Sequence, residues 1–344
     1  MSKDNETIHA NLDGPLTPIE TPRFSPDQMI RCEACLRANP PTRFNCMYCE
    51  AALPLSESSA HLRKPVLRQP QKHEPGFNCI LIPNRTVSGS ENQIEAAASL
   101  LRLKADEVQS IISSGSPLPL ACTISRDEAE LVSERLRSLG LETLVLSDEE
   151  LGLQDEWVVR IRSFEFDNMG LQMHLPGSKG VVAVTWSELL LVVSGRLVTN
   201  RFEVSERMSR KSENDIVDTS EFFSDEAVFD LYALNHQQPW RVGSASFDFS
   251  CLLAQKTLVG GENLKRLHAL VISKAENIRV VETYSTLKSV LEPVWPRDEQ
   301  TQSRGWRRDG PGKYILGAAN LNSNETQFTR YSRLCHYTTI KPLT

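Results

Sequence analysis

The chain predicts a multi-domain α+β protein, and three observations carry that prediction. Two C-x-x-C pairs, Cys32/Cys35 and Cys46/Cys49, stand ten residues apart. Residues 77–147 alternate short apolar runs with helical periodicity, and from Trp157 onward short strands lead into a single helical face. At 344 residues the chain exceeds the usual size of one domain. The expected organisation is a four-cysteine zinc knuckle (29–53), a small β-α-α-β-α-β domain (76–148) and a β-rich barrel-like domain closed by a helix (155–292). A tail (1–28), a linker (54–75) and a last segment (293–344) join and flank them.

The tail carries Pro15, Pro18, Pro22 and Pro26 among Thr, Ser, Asp and Asn. Such a composition cannot bury enough apolar surface to offset ordering entropy, so it reads as disordered. It holds Asp4, Glu6, Asp13 and Glu20 and no apolar run like a signal peptide, which points to the cytoplasm and to reduced thiols. Four thiolates at the knuckle spacing can close a tetrahedron around one Zn²⁺ with no position left for water, so the expected metal is a single structural zinc on Cys32, Cys35, Cys46 and Cys49. Two disulfides would need an oxidising compartment, and a rubredoxin-like iron site would use the same ligands. Cys79, Cys122 and Cys251 sit in apolar, strand-like contexts and Cys335 near the end; all four read as buried thiols.

Between Cys35 and Cys46 lie three residues, Asn39, then six residues. This run resembles the Ran-binding-protein-type zinc finger, whose members bind ubiquitin or single-stranded RNA. Ile30 stands where that family has tryptophan, and Leu36-Arg37 replaces the Thr-Phe pair of its ubiquitin binders. The resemblance implies Arg37, Asn39, Arg43 and Asn45 as partner contacts. A zinc ribbon with Phe44 and Tyr48 packed over the metal fits the same residues.

The linker is broken by Pro54, Pro65, Pro70, Pro75 and several serines, and its His61 and His73 read as solvated. Phe77–Ile82 is then a strand. Ile94, Ala97, Ala98 and Leu101 mark one helix, and Val108, Ile111 and Ile112 a second. Residues 117–124 form an edge strand, because Pro117 and Pro119 cannot donate to a ladder. Ser125 and Glu128 suggest a capping box for a helix that buries Ala129, Val132, Leu136 and Leu139 and stops at Gly140, before a strand over 142–146. This stretch resembles the C-terminal domain of the bacterial ribosomal stalk protein, which recruits translation factors. Arg102, in Leu101-Arg102-Leu103-Lys104, replaces a glycine of that family's turn, so the resemblance implies a shared fold rather than factor binding.

Strands are expected at 157–166, 171–175, 181–184, 189–197, 228–234 and 240–249, with a charged loop at 205–221. Leu264, Leu267, His268 and Val271 trace the closing helix, and strands so closed resemble a pleckstrin-homology barrel. Acids interleave with Arg160, Arg162, Lys179, Arg207, Arg210 and Lys211, which argues against lipid-headgroup recognition. The segment 293–344 is expected to be flexible, with a strand near Tyr314 and a docking helix presenting Phe328, Tyr331 and Leu334.

A formal net charge of −6 argues against a nucleic-acid-coating or membrane-surface protein as a whole. No apolar stretch is long enough to span a bilayer. Phosphate-cradling glycine loops, nucleophile elbows and open metal constellations are absent from the sequence, so neither an enzyme nor a small-molecule substrate is expected. The reading is a zinc-binding modular interaction protein, an adaptor or scaffold, whose partner is a protein or peptide. The alternative is a nucleic-acid- or ribosome-associated factor using the knuckle, through which RNA would bind, and the stalk-like domain.

Overall fold

A computed structural model describes residues 24–54, 63, 65, 67, 70, 74–83, 90–153, 158–178, 180–209, 212–236, 238–275, 277–310 and 313–343, with the backbone alone at 178 and over 204–209, 212–219, 302–310 and 313–318. Most of the expected tail and linker, with His61, His73, Trp157, Lys179, Arg210 and Lys211, lies outside the described residues. The chain divides into two compact units, Met1–Lys64 and Pro65–Thr344.

The first unit is built on two short strands, β1 (Ile30–Arg31) and β2 (Ala38–Asn39), paired antiparallel. Its small core is Cys32, Cys46 and Leu53, flanked by Ile30, Cys35 and Ala51. Arg63 is buried, donates to the carbonyls of Leu53 and Pro54, and lies 5.2 Å from the Phe44 ring centroid.

The second unit begins with β3 (Phe77–Leu81), α1 (Glu91–Leu101), α2 (Ala105–Ser113), β4 (Pro119–Thr123), α3 (Arg126–Ser138) and β5 (Thr143–Ser147), the element order read from the sequence. The sheet runs β4-β3-β5, antiparallel throughout, so the Pro119 strand is at an edge, where a missing N–H costs no ladder bond. Helix α1 ends at Arg102 with φ 56, a left-handed backbone that favours glycine. The expected Ser125/Glu128 capping box does not form: Ser125 caps α3 by position without a side-chain bond, and Glu128 is buried. Gln93 and Glu107 instead accept the N–H groups of Ser90 and Lys104 at the starts of α1 and α2.

The β-rich part holds β6 (Val159–Arg160) and a three-stranded sheet of β7 (Ser163–Phe166), β8 (Gly170–His174) and β9 (Val181–Thr185). A larger sheet contains β10 (Leu189–Ser209), β11 (Ser212–Ala233) and β12 (Trp240–Gly243), with β6 at its edge. Helix α4 (Gly260–Lys274) buries Leu264, Leu267 and Val271 in a core shared with Phe164, Met173, Phe229 and Val242. The sheets curl over this core as a half-barrel, which agrees with the expected α+β class. Residues 189–193 are apolar at every position because the strand is covered on both faces: Leu189 and Val192 point into the half-barrel core, Leu191 and Val193 into the other.

The charged segment expected as a loop is strand over its described residues, 205–209 and 212–221: β10 and β11 pair from Leu189↔Ala233 to Ser209↔Ser212, with register shifts at Leu189/Leu191, Ser205/Glu206 and Arg207/Ser209, and ahead of that segment Arg196 on β10 pairs with Asp225 on β11. The described residues of 293–344, expected to be flexible, are likewise mostly strand and helix. β14 (Asp298–Gly310) and β15 (Lys313–Ser323) form a hairpin whose second strand lies along β10, so a neighbour supplies the ladder that composition alone did not promise. β13 (Arg279–Val281) pairs parallel with β10, and α5 (Tyr284–Leu291) and α6 (Glu325–Ile340) follow. Phe328, Tyr331 and Leu334 are buried as expected, in a core that also holds Cys79, Val132, Leu191 and Trp295. The stretch read as a separate stalk-like domain therefore shares its core with the C-terminal helices. Cys79, Cys122 and Cys335 are buried, whereas Cys251 is half-buried in a 3-10 turn rather than a strand.

Candidate metal centre

The two C-x-x-C loops are built alike. Leu36 N–H donates to the Cys32 carbonyl at 2.8 Å and Glu50 N–H to the Cys46 carbonyl at 3.1 Å. Cys32 N–H donates to the Arg37 carbonyl and Cys46 N–H to the Ala51 carbonyl. Leu36 and Glu50, each just after the second cysteine of its pair, are left-handed with φ 59 and 61. The flanking pairs Arg31↔Ala38 and Asn45↔Ala52 occupy equivalent positions. Each loop is thus a tight hairpin whose end turns both of its thiols the same way.

The loops bring all four cysteine sulfurs within 4.8 Å of one another. Cys32 and Cys49 Sγ are 3.6 Å apart and Cys35 and Cys46 Sγ 3.5 Å. A tetrahedron with metal–sulfur bonds of about 2.3 Å has edges of about 3.8 Å, so these separations fit one zinc ion. With four protein ligands such a site is closed, and the ion would supply cross-linking of the two loops rather than a reactive water.

The electrostatics favour a cation. Burial acts to raise the Cys46 thiol, but the N–H groups of Tyr48 and Cys49, with the Cys35 and Asn39 side chains, bring it down to about 6. The N–H of Ala51 acts to lower the Cys49 thiol, yet its bonds to the other three thiols and the partial desolvation of its sulfur push it up to about 12. Packed thiols of this kind cannot all ionise without a positive charge among them.

Of the expected partner contacts, Arg37, Arg43 and Asn45 are exposed. Asn39 is corrected: it is fully buried, its amide donates to the Arg37 carbonyl at 2.9 Å and to Cys46 Sγ at 3.4 Å, and its oxygen accepts Met47 N–H at 2.8 Å. It holds the second loop against the first and has nothing left for a partner. Tyr48, expected over the metal, is 55% exposed with the Arg37 guanidinium 4.6 Å from its ring centroid, and the chain neighbours of these two, Met47 and Leu36, are 53% and 67% exposed. No periodicity or motif signals this apolar patch beforehand, although its residues lie at the knuckle ends that the cysteine spacing identifies. Comparison of the chain with protein families, with curated proteins and with solved structures finds no match.

Proposed function

We propose that the protein is a non-enzymatic adaptor that uses one structural zinc ion to present a rigid protein-binding surface. The observation that carries this reading is the four-sulfur cluster at the ends of two matched loops. The partner-facing surface is Leu36, Met47 and Tyr48 with the Arg37 guanidinium laid over the tyrosine ring. Exposed aliphatic and aromatic side chains beside one arginine suit a protein patch that is apolar with an acidic border. The zinc-ribbon and Ran-binding-type resemblances agree with it. So does the left-handed Arg102, which stands where the stalk-like resemblance has glycine and supports a shared turn rather than a shared translation-factor surface.

Affinity purification of the full chain, with and without nuclease, tests the reading. A nuclease-resistant protein partner that is lost in Leu36→Ser or Tyr48→Ser is the expected result. Recovery that disappears with nuclease would favour the nucleic-acid- or ribosome-associated alternative.

A further inference from the structure

Residues 253–259 connect the 3-10 turn Phe249–Gln255 to α4 and leave three aliphatic side chains in water: Leu253 is 82% exposed, Leu258 105% and Val259 54%. The loop is held rigid. The buried Asn263 carboxamide clamps Thr257 through both its N–H and its carbonyl, each at 2.7 Å, and Thr257 Oγ1 accepts Val259 N–H at 3.4 Å. Arg266 Nη1 donates to the Gln255 carbonyl. A Cβ on Gly260 would come within 2.3 Å of the Ser244 carbonyl oxygen, so the loop is seated tightly against the end of β12.

Leu253 sits at φ 49, ψ −122, the backbone of the first central position of a type II′ turn, where glycine dominates. A leucine there is strained, and its side chain gains nothing from the protein interior in return. Strained backbone of this kind is kept where function uses it, and here the side chain it carries faces outward. The rim carries a small positive excess: Lys256, Lys265 and Arg266 are exposed, against Asp248, which lies 3.5 Å from Lys256, and Glu262, which accepts from Thr257 Oγ1, so Lys265 and Arg266 on the first turns of α4 supply the unbalanced charge. The polar groups of Thr257 are used within the loop, as burial in hydrocarbon requires.

We propose that Leu253, Leu258 and Val259 insert into the interfacial region of an anionic lipid surface, with Lys256, Lys265 and Arg266 meeting its headgroups. This is a local exception to the acidic balance of the chain, and it differs from headgroup recognition inside a barrel pocket. It does not rest on the zinc-dependent adaptor reading.

Flotation of the zinc-loaded full chain with phosphatidylcholine vesicles, with and without about 30% phosphatidylserine, tests it. Binding to the phosphatidylserine vesicles is expected, with Leu258→Ser lowering the partition about tenfold. Lys265→Ala with Arg266→Ala should weaken binding to anionic vesicles alone, as should high salt. Leu253→Gly should raise the melting temperature while weakening binding, an opposition that a purely structural residue would not produce. Absence of vesicle binding overturns the proposal, and so does a Leu258→Ser variant that folds and binds like the parent. A photo-crosslinker at position 258 that captures a protein while vesicles go unbound would assign the loop to a protein cleft instead. Cys46→Ser is expected to leave vesicle binding unchanged, and loss of binding in that variant would place the lipid contact elsewhere.

Discussion

Asn39 joins the two metal-binding loops through a single carboxamide, donating to Cys46 Sγ and accepting Met47 N–H. Removing it leaves the second loop unsupported, so Asn39→Ala should weaken zinc binding by about 10–100-fold without removing a ligand, measurable by competition with a chelator. A different residue sets a pH dependence. The His336 ring stacks on Tyr232 at 4.3 Å, and burial, with Arg333 nearby, lowers its pKa to about 4. The folded chain keeps this ring neutral while the unfolded chain takes a proton near pH 6.5, so acid favours unfolding. Stability should be level above pH 6.5 and fall by up to about 3 kcal/mol as the pH drops from there to about 4. Chemical denaturation across that range should show the decline, and His336→Gln should flatten it.

At the scale of elements, the knuckle and the second unit should respond separately to metal. Cys46→Ser should release zinc and the order of the knuckle while the circular dichroism of the second unit persists. Arg102→Gly, which relieves the left-handed end of α1, should stabilise the second unit by about 0.5–1 kcal/mol in a thermal melt. The same elements explain what is legible from residues alone. The metal ligands are readable because chelation needs fixed residue types at fixed spacing. α1, α3 and α4 are readable because each buries one stripe against a core. The inner ends of β10 and β11 (189–197 and 228–234) and the strand near Tyr314 are readable from their apolar runs, but the charged outer stretch of β10–β11 and the Gly/Arg/Gln-rich β14 are not, because they become strands only when a distant neighbour offers a ladder, as Thr199↔Ser323 does. Asn39 is misread because its type permits both partner contact and burial, and only the closed loop decides between them.

Across the whole second unit, α6 connects parts of the chain that sequence reading separates. Arg241, fully buried, forms a two-pronged pair with Asp230 at 2.7 and 2.9 Å and also reaches Glu325 and Thr329 of α6. Arg330 of α6 meets Asp148 beyond β5, and Trp295 Nε1 donates to Asn78 Oδ1 of β3 at 2.9 Å. A fragment limited to 76–148 would lose these contacts and expose the face that packs on α5 and α6. The unit should therefore melt in one transition, and Trp295→Ala should destabilise residues 77–147 together with the rest by about 3–5 kcal/mol. Hydrogen exchange that protects 77–147 unchanged in that variant would show two independent folding units.

The proposed function requires that the four thiolates of Cys32, Cys35, Cys46 and Cys49 hold one metal ion. Native mass spectrometry of the reduced, zinc-reconstituted full chain tests it most directly. A single zinc per chain, absent from the Cys46→Ser variant, is the expected result; a parent chain without stoichiometric metal, or a variant that keeps its zinc, would contradict the proposed function.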